Sequence, residues 1–263
     1  MAKLSDIVSF FESTVPNSMK MDFDNVGFLV GDSETEVTKV IVSLDITDNV
    51  IDEAVRTGAQ LILSHHPLFF SLKSVTDKTP EGRKIVKLLN NKIGAICLHT
   101  NLDSVDKGVN DALLEVLGLK RIAILENEQQ LPDGRIYGCG RVGYLETPTD
   151  MCSFLETVKS ALKSNGLRYH DAGVPVKKVA VCGGSGGSMI ADALRHGCDT
   201  LVTADIKYDQ FLTAMESGIN LIDADHYCTE NVVVPVLAEM LKTAFPGLGV
   251  KISQVHQQTA KFI

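Results

Sequence analysis

Apolar positions along the chain switch between a helical period and short continuous runs. Leu4, Ile7, Val8 and Phe11 recur at helical spacing. Val40-Ile41-Val42-Ser43-Leu44 predicts a strand, Val50 to Arg56 a helix, and Leu61-Ile62-Leu63 a second strand. Arg83 to Leu89 reads as a helix, Ala95-Ile96-Cys97-Leu98 as a strand, and Val109 to Val116 as a helix. Strands alternating with helices at this pitch predict a three-layer α/β domain. From about 120 to 147 the pattern changes to Gly-rich, charged sequence in which Arg141-Val142-Gly143-Tyr144-Leu145 predicts strands without helices.

The second half repeats the first. Val40–Gly58 aligns without a gap against Val179–Gly197, sharing Val40/Val179, Val42/Val181, Ile51/Ile190, Ala54/Ala193, Arg56/Arg195 and Gly58/Gly197. The next strands stay in register, Leu61 to His66 against Thr200 to Asp205. Later, His99-x3-Asp103 matches His226-x3-Glu230 in kind. Shared β-α-β patterning alone produces some of this likeness, but the two His-x3-carboxylate elements at the same stage favour duplication. The predicted organisation is a first α/β repeat over 1–125, a connecting hairpin over 126–148 and a second α/β repeat over 149–263, forming one compact unit. Duplicated units suggest a pseudo-twofold arrangement with facing crevices, a common place for a site.

The strand Leu61-Ile62-Leu63-Ser64 runs straight into His65-His66-Pro67. Proline stops the strand, and residues at strand ends point into the crevice where open α/β sheets build their sites. Were the chain extended there, the two imidazoles would face opposite ways. A sharp turn at Pro67, or two separate metal ions, resolves this. A lone histidine at a strand end is usually a hydrogen-bonded loop residue. The adjacent pair together with the two His-x3-carboxylate elements shifts the balance to ligands. His65, His66, Asp103, His226 and Glu230 make a set suited to two divalent ions such as Zn, Mn, Fe or Ni, rather than to Ca or Mg alone. Asp103 and Glu230 can bridge, and Asn101 is placed to orient Asp103. Two such ions activate water and clamp the oxygens of a hydrolytic transition state. His99 is a ligand, an outer partner of one, a substrate contact or a proton shuttle, imidazole being the side chain that carries protons near neutrality. His170, His196 and His256 lack such company and read as surface residues, although His256 could reach a site in an oligomer. Cys182-Gly183-Gly184-Ser185-Gly186-Gly187-Ser188 offers either amides for a phosphate or a tight turn for close packing, and matches neither a Walker A loop nor a dinucleotide fingerprint.

Composition narrows the setting. The 263 residues carry a net charge of −8, which opposes non-specific attraction to nucleic acid or an anionic membrane, and no Lys/Arg run offsets it. No apolar stretch reaches transmembrane length. The opening Met1-Ala2-Lys3-Leu4-Ser5-Asp6 leads directly into the first helix pattern, so no signal peptide is expected. The six cysteines form no CxxC pair, and Cys97 and Cys182 read as buried small hydrophobes. A cytoplasmic location is the default expectation.

Asp24-Asn25-Val26-Gly27, Ser64-His65-His66-Pro67-Leu68-Phe69-Phe70, His99-Thr100-Asn101-Leu102-Asp103, Gly183 to Gly187, Asp205-Ile206-Lys207-Tyr208 and His226-x3-Glu230 occur in the order found in the Nif-three-like family. The chain resembles that family over nearly its whole length. Bacterial members are labelled GTP cyclohydrolase I type 2 homologues or dinuclear metal centre hexameric proteins. The resemblance implies two intertwined, duplicated α/β repeats with mixed sheets, a toroidal homohexamer, and a dinuclear metal site facing its cavity. By motif position the implied ligands are His65, His66, Asp103, His226 and Glu230. It also implies a metal-dependent hydrolase of a small nucleotide-like substrate, by cyclohydrolase or phosphoesterase chemistry. The alternative is a non-enzymatic metal-binding, delivery or interaction scaffold. Three positions depart from the family pattern: Ala204 where glycine is common, Asp209 where histidine often follows Lys-Tyr, and Asp225 in place of glycine before His226.

Overall fold

The structure is a computed structural model that describes residues 2–261 and 263; Met1, which opens the segment considered above for a signal peptide, lies outside them. By its internal contacts the chain divides into two compact units, one running to Leu102 and taking back Val234–Gln257, the other Asp103–Val233 with the last six residues. Each unit is built on a mixed sheet with helices, as the alternation of periods predicts.

The first unit carries a five-stranded sheet in the order Gly249–Ile252, Lys39–Ser43, Leu61–Ser64, Gly94–Cys97, Gly27–Val30. The first four strands are parallel and the last is an antiparallel edge. Leu61–Ser64 and Gly94–Cys97 are buried at every position, which explains their unbroken apolar runs: a central parallel strand is covered on both faces. Ile41, Ile62 and Ala95 share a core with Val50, Ile51 and Ala54 of helix Asp48–Thr57 and with Ile85 and Leu88 of helix Pro80–Asn90. The amphipathic helix Leu4–Thr14 buries Leu4, Ile7 and Phe11, and Phe10 meets Phe245 edge-on.

The second unit carries a six-stranded sheet in the order Lys120–Gln130, Ile136–Thr149, Val176–Ser185, Thr200–Ala204, Asn220–Asp223, Arg168–His170. Its two central pairings, from Val176–Ser185 to Asn220–Asp223, are parallel, with antiparallel strands outside. The hairpin expected to connect the repeats is an integral part of this sheet. Ile136–Thr149 pairs with both Lys120–Gln130 and Val176–Ser185.

Strand register reproduces the sequence repeat. Val40 pairs Leu61, which pairs Gly94; Val179 pairs Thr200, which pairs Asn220. Of the helices after the first strands, one is capped by a left-handed glycine, Gly58 at φ 67°, and in the other a left-handed glycine, Gly197 at φ 64°, follows the cap His196, a conformation glycine adopts without steric cost. The third strands fix the limits of the likeness. With Gly94 matched to Asn220, His99 falls opposite Asp225, so the His-x3-carboxylate elements are offset by one residue.

Among the described residues no helix is long and apolar enough to cross a membrane. All six cysteines are free, and Cys97 and Cys182 are buried as expected. Burial above all, then the charge of Asp24, pushes the Cys97 thiol well up.

Candidate metal centre

In the first unit, the parallel strands deliver three imidazoles at their carboxyl ends. His66 N–H donates to Leu44 O at 2.9 Å and Ser64 Oγ to His66 O at 2.8 Å, so the chain bends after Ser64 instead of continuing extended. The His65 and His66 rings therefore lie 5.1 Å apart, on the same side. His99 completes the group, 5.3 Å from the His65 ring and 5.6 Å from that of His66. One ring nitrogen from each of the three lies within 4.8 Å of the others.

Each of these rings is held through Nδ1. Fully buried His65 donates to Leu98 O at 2.8 Å; a carbonyl only accepts, so the proton is on Nδ1 and the lone pair on Nε2. His66 Nδ1 meets Asp45 Oδ1 at 2.7 Å, and His99 Nδ1 meets Asp24 Oδ1 at 2.8 Å. Asp45 spans two rings, its Oδ2 lying 2.9 Å from His256 Nε2. Burial would raise the Asp45 carboxyl, but hydrogen bonds from His256 and then His66 outweigh it and hold it well below the carboxylate range. Asp24 likewise overcomes its burial through His99, Thr100 Oγ1 at 2.6 Å and Thr100 N at 3.0 Å.

In the second unit, Asp103 lies in the short helix Thr100–Ser104, while His226 and Glu230 open and close the short helix His226–Glu230. Helical spacing puts the latter two on one face, with His226 Nε2 3.0 Å from Glu230 Oε2. A carboxylate oxygen of Asp103 lies within 4.8 Å of one from Glu230. His226 Nδ1 is held by Asp205 Oδ2 at 2.7 Å. Burial works against charge on His226, but the hydrogen bond and charge of Glu230, followed by those of Asp205, lift its pKa to about 9.

The surrounding chain is shaped to this helix. Asp225, the residue in the place of the family's glycine, takes φ 74° and caps it, accepting from Cys228 N at 3.1 Å; Gln258 bonds the same carboxylate. The glycine-rich loop serves packing rather than phosphate. Gly183 N donates to Asn110 Oδ1 at 2.9 Å, Gly184 N to Thr229 Oγ1 at 3.0 Å and Gly186 N to Thr203 Oγ1 at 2.9 Å, so these amides are already engaged. Gly184, at φ 64°, admits Glu230: a Cβ there would sit 2.1 Å from Glu230 Oε1.

Several sequence expectations change. Asn101 does not orient Asp103; its amide donates to Val15 O at 3.1 Å, and it is Asn110 that holds the Asp103 carbonyl, at 2.9 Å. His256 is not a surface residue, its side chain being 8% exposed against Asp45. His170 and His196 are half-buried, and His196 Nε2 lies 3.1 Å from Leu125 O. Ala204 is buried in its strand and Asp209 is exposed on its helix. Sequence gives no signal for Asp45, and allows His256 a site role only through an oligomer, because both lie far along the chain from the histidines they support.

Strand-end imidazoles anchored through Nδ1 in one unit, and a histidine with paired carboxylates in the other, are the groups of a candidate metal-binding α/β protein. The profile of Duf34/NIF3 (NGG1p interacting factor 3) matches residues 2–260, and the chain belongs to that family. A Clostridium perfringens protein named GTP cyclohydrolase 1 type 2 homolog is 39% identical over 242 residues, covering 91% of each chain. The structure is similar to that of the Staphylococcus aureus hypothetical protein SA1388, with a TM-score of 0.90, 30% identity and 99% of each chain covered. It is also similar to a Bacillus cereus protein related to NIF3, with a TM-score of 0.91 at 26% identity, over 100% of this chain and 99% of that one.

Proposed function

We propose that the protein binds two divalent metal ions through His65, His66, Asp103, His226 and Glu230 and hydrolyses a small nucleotide-like substrate. The observation that carries this is the anchoring of Nδ1 in His65, His66, His99 and His226 by a carbonyl or carboxylate. Metal-ligating histidines are oriented in this way, with Nε2 as the donor atom. The donor set of imidazoles and carboxylates fits Zn, Mn, Fe or Ni. Such ions, when bound, activate water and stabilise charge on the hydrolysed group.

The chain's own residues divide the remaining work. Asp45, Asp24 and Asp205 fix ring orientation and make the imidazoles better donors. His226 and Glu230, 3.0 Å apart, would both serve as ligands, and His226 would have to be neutral at Nε2 to do so. His99, with Nδ1 held by Asp24, moves a proton at Nε2 as general acid or base. A nucleotide-like substrate is supported by the name carried by the Clostridium relative. The proposal includes the homohexamer that the family resemblance implies, which light scattering of the intact protein tests.

The decisive experiment is elemental analysis per subunit, before and after chelation, with turnover of a nucleotide panel. Two ions and chelator-sensitive hydrolysis are expected. His66→Ala and Glu230→Ala should each lower metal content in a folded protein. A full metal complement in both variants overturns the ligand assignment. Two ions without turnover overturns the hydrolase reading and leaves a metal-binding or delivery role.

A further inference from the structure

Two large apolar rings stand in solvent beside the histidine cluster of the first unit. Phe23 is 66% exposed and Phe70 55% exposed, their centroids are 6.3 Å apart, and their planes are inclined at 44°. Phe70 in turn meets the ring of His99 at 5.8 Å and 63°. Exposed apolar surface of this size next to polar machinery calls for an occupant.

The rings are not on loose chain. Phe23 precedes Asp24, which is fixed by His99 and Thr100, and Lys20 Nζ donates to Asp24 O at 2.8 Å. Asn25 Nδ2 donates to Phe69 O at 2.9 Å, tying the loop of Phe23 to that of Phe70. Phe70 follows the His65-His66-Pro67 turn by three residues. The two loops that orient the imidazoles are therefore the loops that present the rings.

We infer that Phe23 and Phe70 form a stacking wall for the planar heteroaromatic base of the substrate, placing the base edge beside His99. This rests on the reading of the site as a hydrolase centre and specifies what part of the substrate is gripped. A base offers a π-face that stacks on benzyl rings whatever its hydrogen-bonding pattern, so the wall selects a ring, not one base. Ring contacts run from Phe23 through Phe70 to His99.

The chain contains no tryptophan, so Phe70→Trp supplies a single fluorescent reporter in the wall. The probes are guanosine and adenosine 5′-monophosphate, with ribose 5-phosphate as the ring-free control, titrated into metal-loaded and chelated protein. Saturable quenching by both nucleotides and none by ribose phosphate is expected. Adding Phe23→Ala should weaken nucleotide binding about tenfold without changing metal content. Equilibrium dialysis of guanosine monophosphate against the unsubstituted protein and Phe23→Ala makes the same comparison with Phe70 intact. Absent quenching, equal quenching by ribose phosphate, or blue-shifted emission at every ligand concentration, the sign of a face covered by another copy, overturns the wall. Those results with metal retained leave the metal centre standing. Failure to bind metal overturns the centre alone, because quenching of the chelated protein still tests the wall.

Discussion

His256 reaches Asp45 across 211 residues of chain, its Nε2 2.9 Å from Oδ2. The other oxygen of Asp45 receives His66 Nδ1 at 2.7 Å. One carboxylate thus joins a proposed metal ligand to the far end of the sequence. Partners of this kind set ring orientation and donor strength.

Asp45→Asn and His256→Ala should each weaken metal binding by about 10- to 100-fold with secondary structure unchanged. His256→Gln should recover part of the loss, since its amide can still donate to Oδ2. Competition with a chromogenic chelator measures this, and unchanged affinity in both loss variants would refute a positioning role for the pair.

The metal-free protein should lose stability as pH rises through about 9. His226 is raised to about 9 by Glu230 and Asp205 against the cost of burial, while its ordinary value is 6.5. A raised folded-state value means that the stabilisation is complete below about pH 6.5 and disappears as the proton leaves. Metal binding removes the same proton, so affinity should instead rise over that interval. Melting temperatures of chelated protein, with His226→Gln as reference, check the first trend, and metal titration checks the second.

Gly184→Ala should lower metal content, because its Cβ would fall 2.1 Å from Glu230 Oε1. Gly58→Ala has a similar φ of 67° with nothing within 4 Å. It should cost only about 1–2 kcal/mol of backbone strain and leave metal binding intact. Equal metal loss in the two variants would deny Gly184 its spacing role. Urea unfolding gives the stabilities.

Arg141→Met should destabilise the protein by about 3–5 kcal/mol. The fully buried guanidinium donates to Asp111 Oδ1 at 3.1 Å and to the carbonyls of Gly138, Gly140, Ser104 and Val105. Arg141→Lys should fail to rescue, since an ammonium cannot reproduce the planar fork. Because Ser104 and Val105 follow Asp103 directly, both variants should also release metal more readily. Urea unfolding and metal retention on dialysis measure the two effects.

Much of this was legible in the chain. Continuous apolar runs marked the buried parallel strands, and the ungapped repeat around Val40 and Val179 reappeared as identical strand register. The histidines stood out because proline and chain turns place them at strand ends. What escaped was pairing through space. No periodicity connects His256 with Asp45, or Asn101 with Val15 O. The glycine-rich loop resembled a phosphate cradle because a tight turn and close packing require the same residues, and only the positions of Thr229, Thr203 and Asn110 show where its amides go.

The return of the chain to its first sheet also sets an order of events during translation. Strand Gly249–Ile252 pairs with Lys39–Ser43, and His256 follows it, but the whole stretch Asp103–Val233 must be made first. At ribosomal speeds of about 5–20 residues per second, those roughly 130 residues take about 6 to 26 seconds. For that time His66 and Asp45 exist on a nascent chain without the edge strand or His256. On the proposed ligand set, a complete site therefore belongs after synthesis of the second unit, which supplies Asp103, His226 and Glu230; a stalled or prematurely ended product would carry the first unit's histidines without those ligands.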